Sequence, residues 1–183
     1  MKKLLFVSAI AFFAFTSASA QSSESTSSKF KIGAGLNVLF PVSNGDAYSV
    51  GVGVDVMAQY AVSENISITA DAGYTSLMVK SEFKSDEFKS QGIIPIRAGI
   101  RFFPSSQFYI GGKVGVGIMT DVVKSINLVT GEVSKGSQST TAYSFGAGYM
   151  LSPKLDIGIN YDGYSKNGSL GLIGARLGYT FGN

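Results

Sequence analysis

The chain has 183 residues with 23 glycines and no cysteine, histidine or tryptophan; 15 % of it is charged, and its formal net charge is +3. One domain of ordinary size fits that length, and a charged fraction well under the usual quarter argues against an exterior that meets water on all sides. Without histidine or cysteine the chain lacks the commonest general base and the strongest common nucleophile, so neither an enzyme nor a metal or cofactor site is expected.

The first segment reads as a leader. Lys2 and Lys3 are its positive start, Leu4 to Phe15 its apolar stretch with Ser8 as the one polar member, and Ala18-Ser19-Ala20 its small-residue cleavage site. Residues 1–20 are therefore expected to be a cleaved signal peptide, because the apolar run is shorter than the roughly 20 residues of a spanning helix. QSSESTSS, residues 21–28, is too polar to fold and reads as a flexible lead-in to a single domain over 29–183. Losing Lys2 and Lys3 brings the chain close to neutrality, and no Lys/Arg run remains, so nucleic acid is not an expected partner.

From Lys29 onward apolar and other residues alternate. With Gly, Pro, Asn and Ser clusters as punctuation, eight strands are predicted: Phe30 to Phe40, Tyr48 to Val62, Ile66 to Val79, Ile93 to Phe103, Phe108 to Val122, Thr140 to Leu151, Leu155 to Tyr164 and Leu170 to Phe181. Ser63-Glu64-Asn65, Pro104 to Gln107 and Ser152-Pro153-Lys154 are tight turns. They alternate with longer connections at 41–47, 80–92, 123–139 and 165–169. An up-and-down meander then carries all short turns at one end and all long loops at the other.

Parity decides which side meets water. Val50, Val52, Val54, Val56 and Tyr60 share one face with no charge on it, as do Leu36 and Val38, Ile96 and Ile100, Val114 and Val116, and Ile157 and Ile159. The opposite parity holds glycines and nearly all strand charges: Asp55, Asp71, Arg97, Arg101, Lys113, Asp121, Asp156, Asp162 and Arg176. Eight strands enclose little more than packed side chains, so isoleucines and aromatics would overfill the inside and are expected on the outside. Phe30, Tyr60, Phe102, Phe108, Tyr149, Tyr179 and Phe181 gather beside the short turns, where a membrane interface would lie.

Eight antiparallel strands, a leader and one-sided loops resemble the small outer-membrane β-barrels of diderm bacteria, the porin-like family of the OmpX type and of the OmpA transmembrane domain. Gly174 to Phe181 is similar to the C-terminal assembly signal of such barrels, with departures at Leu172 and at Gly182-Asn183. The resemblance implies an all-β, eight-stranded, antiparallel up-and-down barrel surrounded by outer-membrane lipid, inserted by the barrel assembly machinery, monomeric, with periplasmic termini and extracellular loops. The histidine on which related barrel enzymes rely has no counterpart here. The expected role is structural or adhesion-like at the cell surface. A narrow pore for ions or small solutes is the alternative, and a soluble lipocalin-like barrel with an apolar ligand is a further one.

Counted from the short turns, Asp71, Arg97, Lys113 and Arg176 lie at similar depth, with Asp55 slightly higher; with Arg101 they are expected to form one interior belt. Its alternatives are a plug of salt bridges, which the cost of unpaired buried charge favours, and an ion-selective constriction. Pro95, inward-facing and without an N–H, is expected to mark a β-bulge. Asp86-Glu87 reads as a solvated loop pair. In the longest connection, Lys124 to Ser139, loose alternation on either side of Thr130-Gly131 predicts that strands five and six continue as a hairpin beyond the membrane, where the edge could take up a strand of a surface protein.

Overall fold

The computed structural model of the chain describes residues 29–83, 90–126, 133–166 and 169–181. The leader, the lead-in, Asp86-Glu87, the hairpin apex at Thr130-Gly131 and the terminal Gly182-Asn183 lie outside the described residues.

Eight strands form the fold: β1 (Phe30–Ser43), β2 (Tyr48–Ala61), β3 (Ile66–Val79), β4 (Ser90–Phe102), β5 (Phe108–Ile126), β6 (Val133–Met150), β7 (Leu155–Ser165) and β8 (Ser169–Phe181). Each pairs antiparallel with its chain neighbours, and β8 closes on β1, so the sheet has no free edge along the barrel wall. A 3-10 turn at Ser81–Phe83 follows β3.

The parity reading holds on every strand. Leu36, Val54, Ile68, Ile100, Val114, Phe145, Ile159 and Leu177, one from each strand, are exposed, while their sequence neighbours on the other parity turn inward. Phe30 stands opposite Tyr60 and Phe108 opposite Tyr149 at the short-turn end, all four part-exposed, which sets an aromatic girdle at one rim. The described interior cavity is about 50 Å³. A soluble ligand-carrying barrel needs several hundred, so the lipocalin-like alternative fails on both the outside and the inside.

Six of the eight strands, all but β2 and β3, run further than expected, and on the loop side. β1 runs through Pro41 to Ser43, with a register shift against β8 between those two residues. Next comes Asn44, whose left-handed φ of 50° turns the chain and whose side-chain amide donates to the Ser169 carbonyl at 2.7 Å, tying this loop to the start of β8. The β5–β6 ladder continues to Ile126 opposite Val133, through register shifts between Met119 and Val122 and between Val123 and Ser125. The predicted hairpin extension is thus present, and its bulged side is β5.

Pro95 corrects an expectation. It faces inward, but the β4–β5 register runs straight through it, Pro95 opposite Gly117. On the β3 side the same register holds on both sides of a gap, Ala72 with Ile96 and Thr75 with Ile93. The missing N–H removes a rung without inserting a residue, so there is no bulge.

Candidate functional site

The lumen is filled by two layers of side chains. On the loop side lies an apolar layer: Leu39 from β1, Leu77 from β3, Ile93 from β4, Ala142 from β6, Tyr164 from β7 and Leu172 from β8, none more than 2 % exposed. Leu172, the departure from the usual assembly signal, is fully buried in this layer. Tyr164 reaches over Gly117, where an added Cβ would stand 2.7 Å from its ring, so the glycine makes that crossing possible.

Nearer the short turns lies the charged layer. Asp71 and Arg97 face each other directly across the β3–β4 ladder, and Arg97 places Nη2 2.7 Å from Asp71 Oδ2 and Nη1 2.8 Å from Asp162 Oδ1. Lys113 Nζ shares Asp71 Oδ2 at 3.4 Å. Asn160 donates to Asp162 at 2.8 Å. A second arginine does the same on the other wall: Arg176 Nη2 is 2.8 Å from Asp55 Oδ1, and its Nη1 is 3.3 Å from Asp156 Oδ1. Asn37 donates to Asp55 and the Tyr109 hydroxyl to Asp156, both at 2.7 Å. Arg101 stands apart, its guanidinium 4.2 Å from the centre of the Tyr109 ring and its Nη1 3.3 Å from Gln59 Oε1.

All six residues expected in the belt, Asp55, Asp71, Arg97, Arg101, Lys113 and Arg176, line this layer, and all but Lys113 are buried. Five of them divide into two arginine-centred groups and Arg101 stands outside both, so they do not form one ring. Each arginine needs a second carboxylate, Asp162 for Arg97 and Asp156 for Arg176, which the depth count left out of the belt. Asp156 sits one residue from its short turn, well off the common count, whereas Asp162 sits seven, the same as Asp55, and was left out although its count allowed it. Strands tilted by about 35–45° and staggered from one to the next bring unequal counts to equal height. Inward parity was the signal that had already marked both residues.

Such groups do structural chemistry. Taking ions out of water costs several kcal/mol each, and bidentate arginine contacts with further amide and hydroxyl donors are what offset it. Among the described side chains, Thr69 Oγ1 is the one fully buried polar atom left without a hydrogen-bond partner.

A closed antiparallel barrel, apolar outside and filled inside, with aromatics at one rim, defines a transmembrane β-barrel. The chain belongs to the outer membrane protein beta-barrel domain family, whose model matches residues 8–181, and its place is accordingly the outer membrane. No curated protein matches it. Among solved structures it is similar to Ail, the attachment invasion locus protein of Yersinia pestis, at 17 % identity and a TM-score of 0.59 over 83 % of this chain and 97 % of that one. The N-terminal β-barrel domain of Pseudomonas aeruginosa OprF aligns with the same TM-score at 11 % identity, over 82 % of this chain and 97 % of that one. Neisserial surface protein A aligns at 17 % identity with a TM-score of 0.52, over 84 % and 98 %. At such identities the likeness is one of fold.

Proposed function

We propose that this protein is a closed outer-membrane barrel that acts through what it presents at the cell surface, not through its lumen. The observation that carries the reading is the double plug: a salt-bridged layer under an apolar layer whose Leu77, Ile93 and Leu172 are fully buried. Water and ions would have to part both layers to pass. The reading is non-enzymatic, in keeping with a chain without histidine or cysteine.

In this reading residues 1–20 direct export and are removed after Ala20, the barrel assembly machinery inserts the chain as a monomer, and the four long connections face outward. The surface element that supports an adhesive role is the β5–β6 extension, paired as far as Ile126 and Val133. Its two outer backbone edges can accept a strand from a protein partner. Ail has been solved in complex with the heparin analogue sucrose octasulfate, so a polyanion is the rival ligand class. The long connections do not favour it: six lysines, Lys80, Lys84, Lys89, Lys124, Lys135 and Lys166, stand against five carboxylates, Asp46, Glu82, Asp86, Glu87 and Glu132, which leaves almost no positive excess. Backbone pairing with a protein segment is the mode that needs no charge excess.

Planar-bilayer recording of the refolded, leaderless barrel tests the closed lumen. Baseline current with rare, brief events is expected; long-lived unitary steps in the unmodified protein would establish the narrow-pore alternative instead.

A further inference from the structure

We propose that the barrel interior binds one small monovalent anion, of the size of chloride, between Arg101 and Lys113. The four carboxylates of the charged layer are engaged by two arginines, Asp71 and Asp162 by Arg97 and Asp55 and Asp156 by Arg176. Arg101 is left without a carboxylate within ion-pair distance among the described residues, although it is 5 % exposed. Of its five N–H groups, one has a bond, the 3.3 Å contact to Gln59. Lys113 has only the edge of Asp71, at 3.4 Å, and that oxygen already accepts from Arg97 at 2.7 Å.

The sheet register sets these two cations on neighbouring strands. Arg101 stands opposite Gly111 and Lys113 opposite Gly99, so they occupy diagonal inward positions on β4 and β5, and the other two corners of that square are glycines. The cavity of about 50 Å³ lies against both. Four cations line it, Arg97, Arg101, Lys113 and Arg176, with Asp55 the one carboxylate among its lining residues. Overall neutrality of the layer does not answer the local need, because the open donors of Arg101 and Lys113 require an acceptor at that point in space. Water supplies acceptors but leaves two neighbouring positive charges repelling each other where the dielectric is low. A halide supplies both acceptor and charge. The space suits a monatomic ion with a water, since a single water needs about 10–15 Å³ by the same kind of measure, and it excludes a sugar, a peptide or a lipid headgroup. The anion would be a structural ligand that completes the plug, independent of which partner the loops meet.

The test uses the refolded barrel at constant ionic strength, with chloride replacing gluconate stepwise. A saturable rise in the unfolding midpoint is expected, since a ligand that binds the folded state alone stabilises it by mass action. Lys113→Met should lose that chloride dependence. Crystals of the unmodified protein grown in bromide should show an anomalous peak in contact with Arg101 and Lys113, a readout that does not depend on the variant folding. Midpoints that are the same in chloride and gluconate, a chloride response that persists in Lys113→Met, or a cavity without the bromide peak would each overturn the proposal and leave water as the occupant.

Discussion

Arg176 on β8 reaches across β1 to grip Asp55 on β2, two residues 121 apart in the chain, with Nη2 2.8 Å from Oδ1 and Nε 3.0 Å from Oδ2. Gly35, opposite Asp55 on β1, lies under the guanidinium: an added Cβ there would stand 2.5 Å from Nη2. One ion pair therefore spans the β8–β1 closure and ties three strands together, and a glycine is what lets it cross.

Gly35→Ala should accordingly destabilise the barrel by about 1–3 kcal/mol, the usual cost of overpacking a filled interior. Gly112→Ala is the matched control. Its Cβ would point outward and meet nothing nearer than the Ser144 carbonyl oxygen at 3.8 Å. Urea titrations in detergent should show the first midpoint falling and the second within experimental scatter of the parent; equal losses would mean that Gly35 is not reserved for Arg176.

Arg176→Ala leaves both Asp55 and Asp156 without their cation, and a buried pair broken on one side costs about 3–5 kcal/mol. Replacing all three residues by Leu, Asn and Asn should recover part of that, since no lone charge then remains. The comparison of the two variants in the same refolding assay separates a need for the pair from a need for the arginine's bulk.

Val54 is 55 % exposed on the lipid face. Val54→Arg should cost about 2–4 kcal/mol at mid-bilayer depth. A stability unchanged in lipid vesicles would show that this position does not lie within the hydrocarbon.

Thinning the apolar layer should open the lumen before it unfolds the barrel. Leu77→Ala with Ile93→Ala removes two fully buried side chains from neighbouring strands. Stability should fall by about 2–5 kcal/mol for each, and bilayer recordings should show leak events where the parent shows baseline. An equally silent double variant would locate the seal in the charged layer.

Replacement of Lys124 to Ser139 by a short Gly/Ser linker removes the β5–β6 extension and leaves the ladder from Phe108 opposite Tyr149 to Gly117 opposite Thr140 intact. The barrel should still refold with the heat-shifted electrophoretic mobility of a folded β-barrel, while capture of surface proteins is lost. Capture that survives in correctly inserted protein would move the binding role to another loop.

Strand number, order and facing were legible in the sequence because a barrel wall repeats every two residues: Val54 outside and Asp55 inside are neighbours in the chain, and no distant information is needed to separate them. The short turns were legible for a similar local reason, since Ser63, Ser105 and Ser152 cap them through their own hydroxyls. Who pairs with whom inside was decided by the tertiary structure. Asp162 meets Arg97 from 65 residues away, and Asp156 meets Arg176 because tilt and stagger lift unequal strand positions to one level. The apolar layer escaped the alternation pattern for another reason: Leu39, Leu77, Ile93 and Leu172 sit on the parity that a lipid-exposed reading reserves for polar residues. Only closure of the sheet, which brings all four to one cross-section and removes them from water, turns four scattered exceptions into a seal.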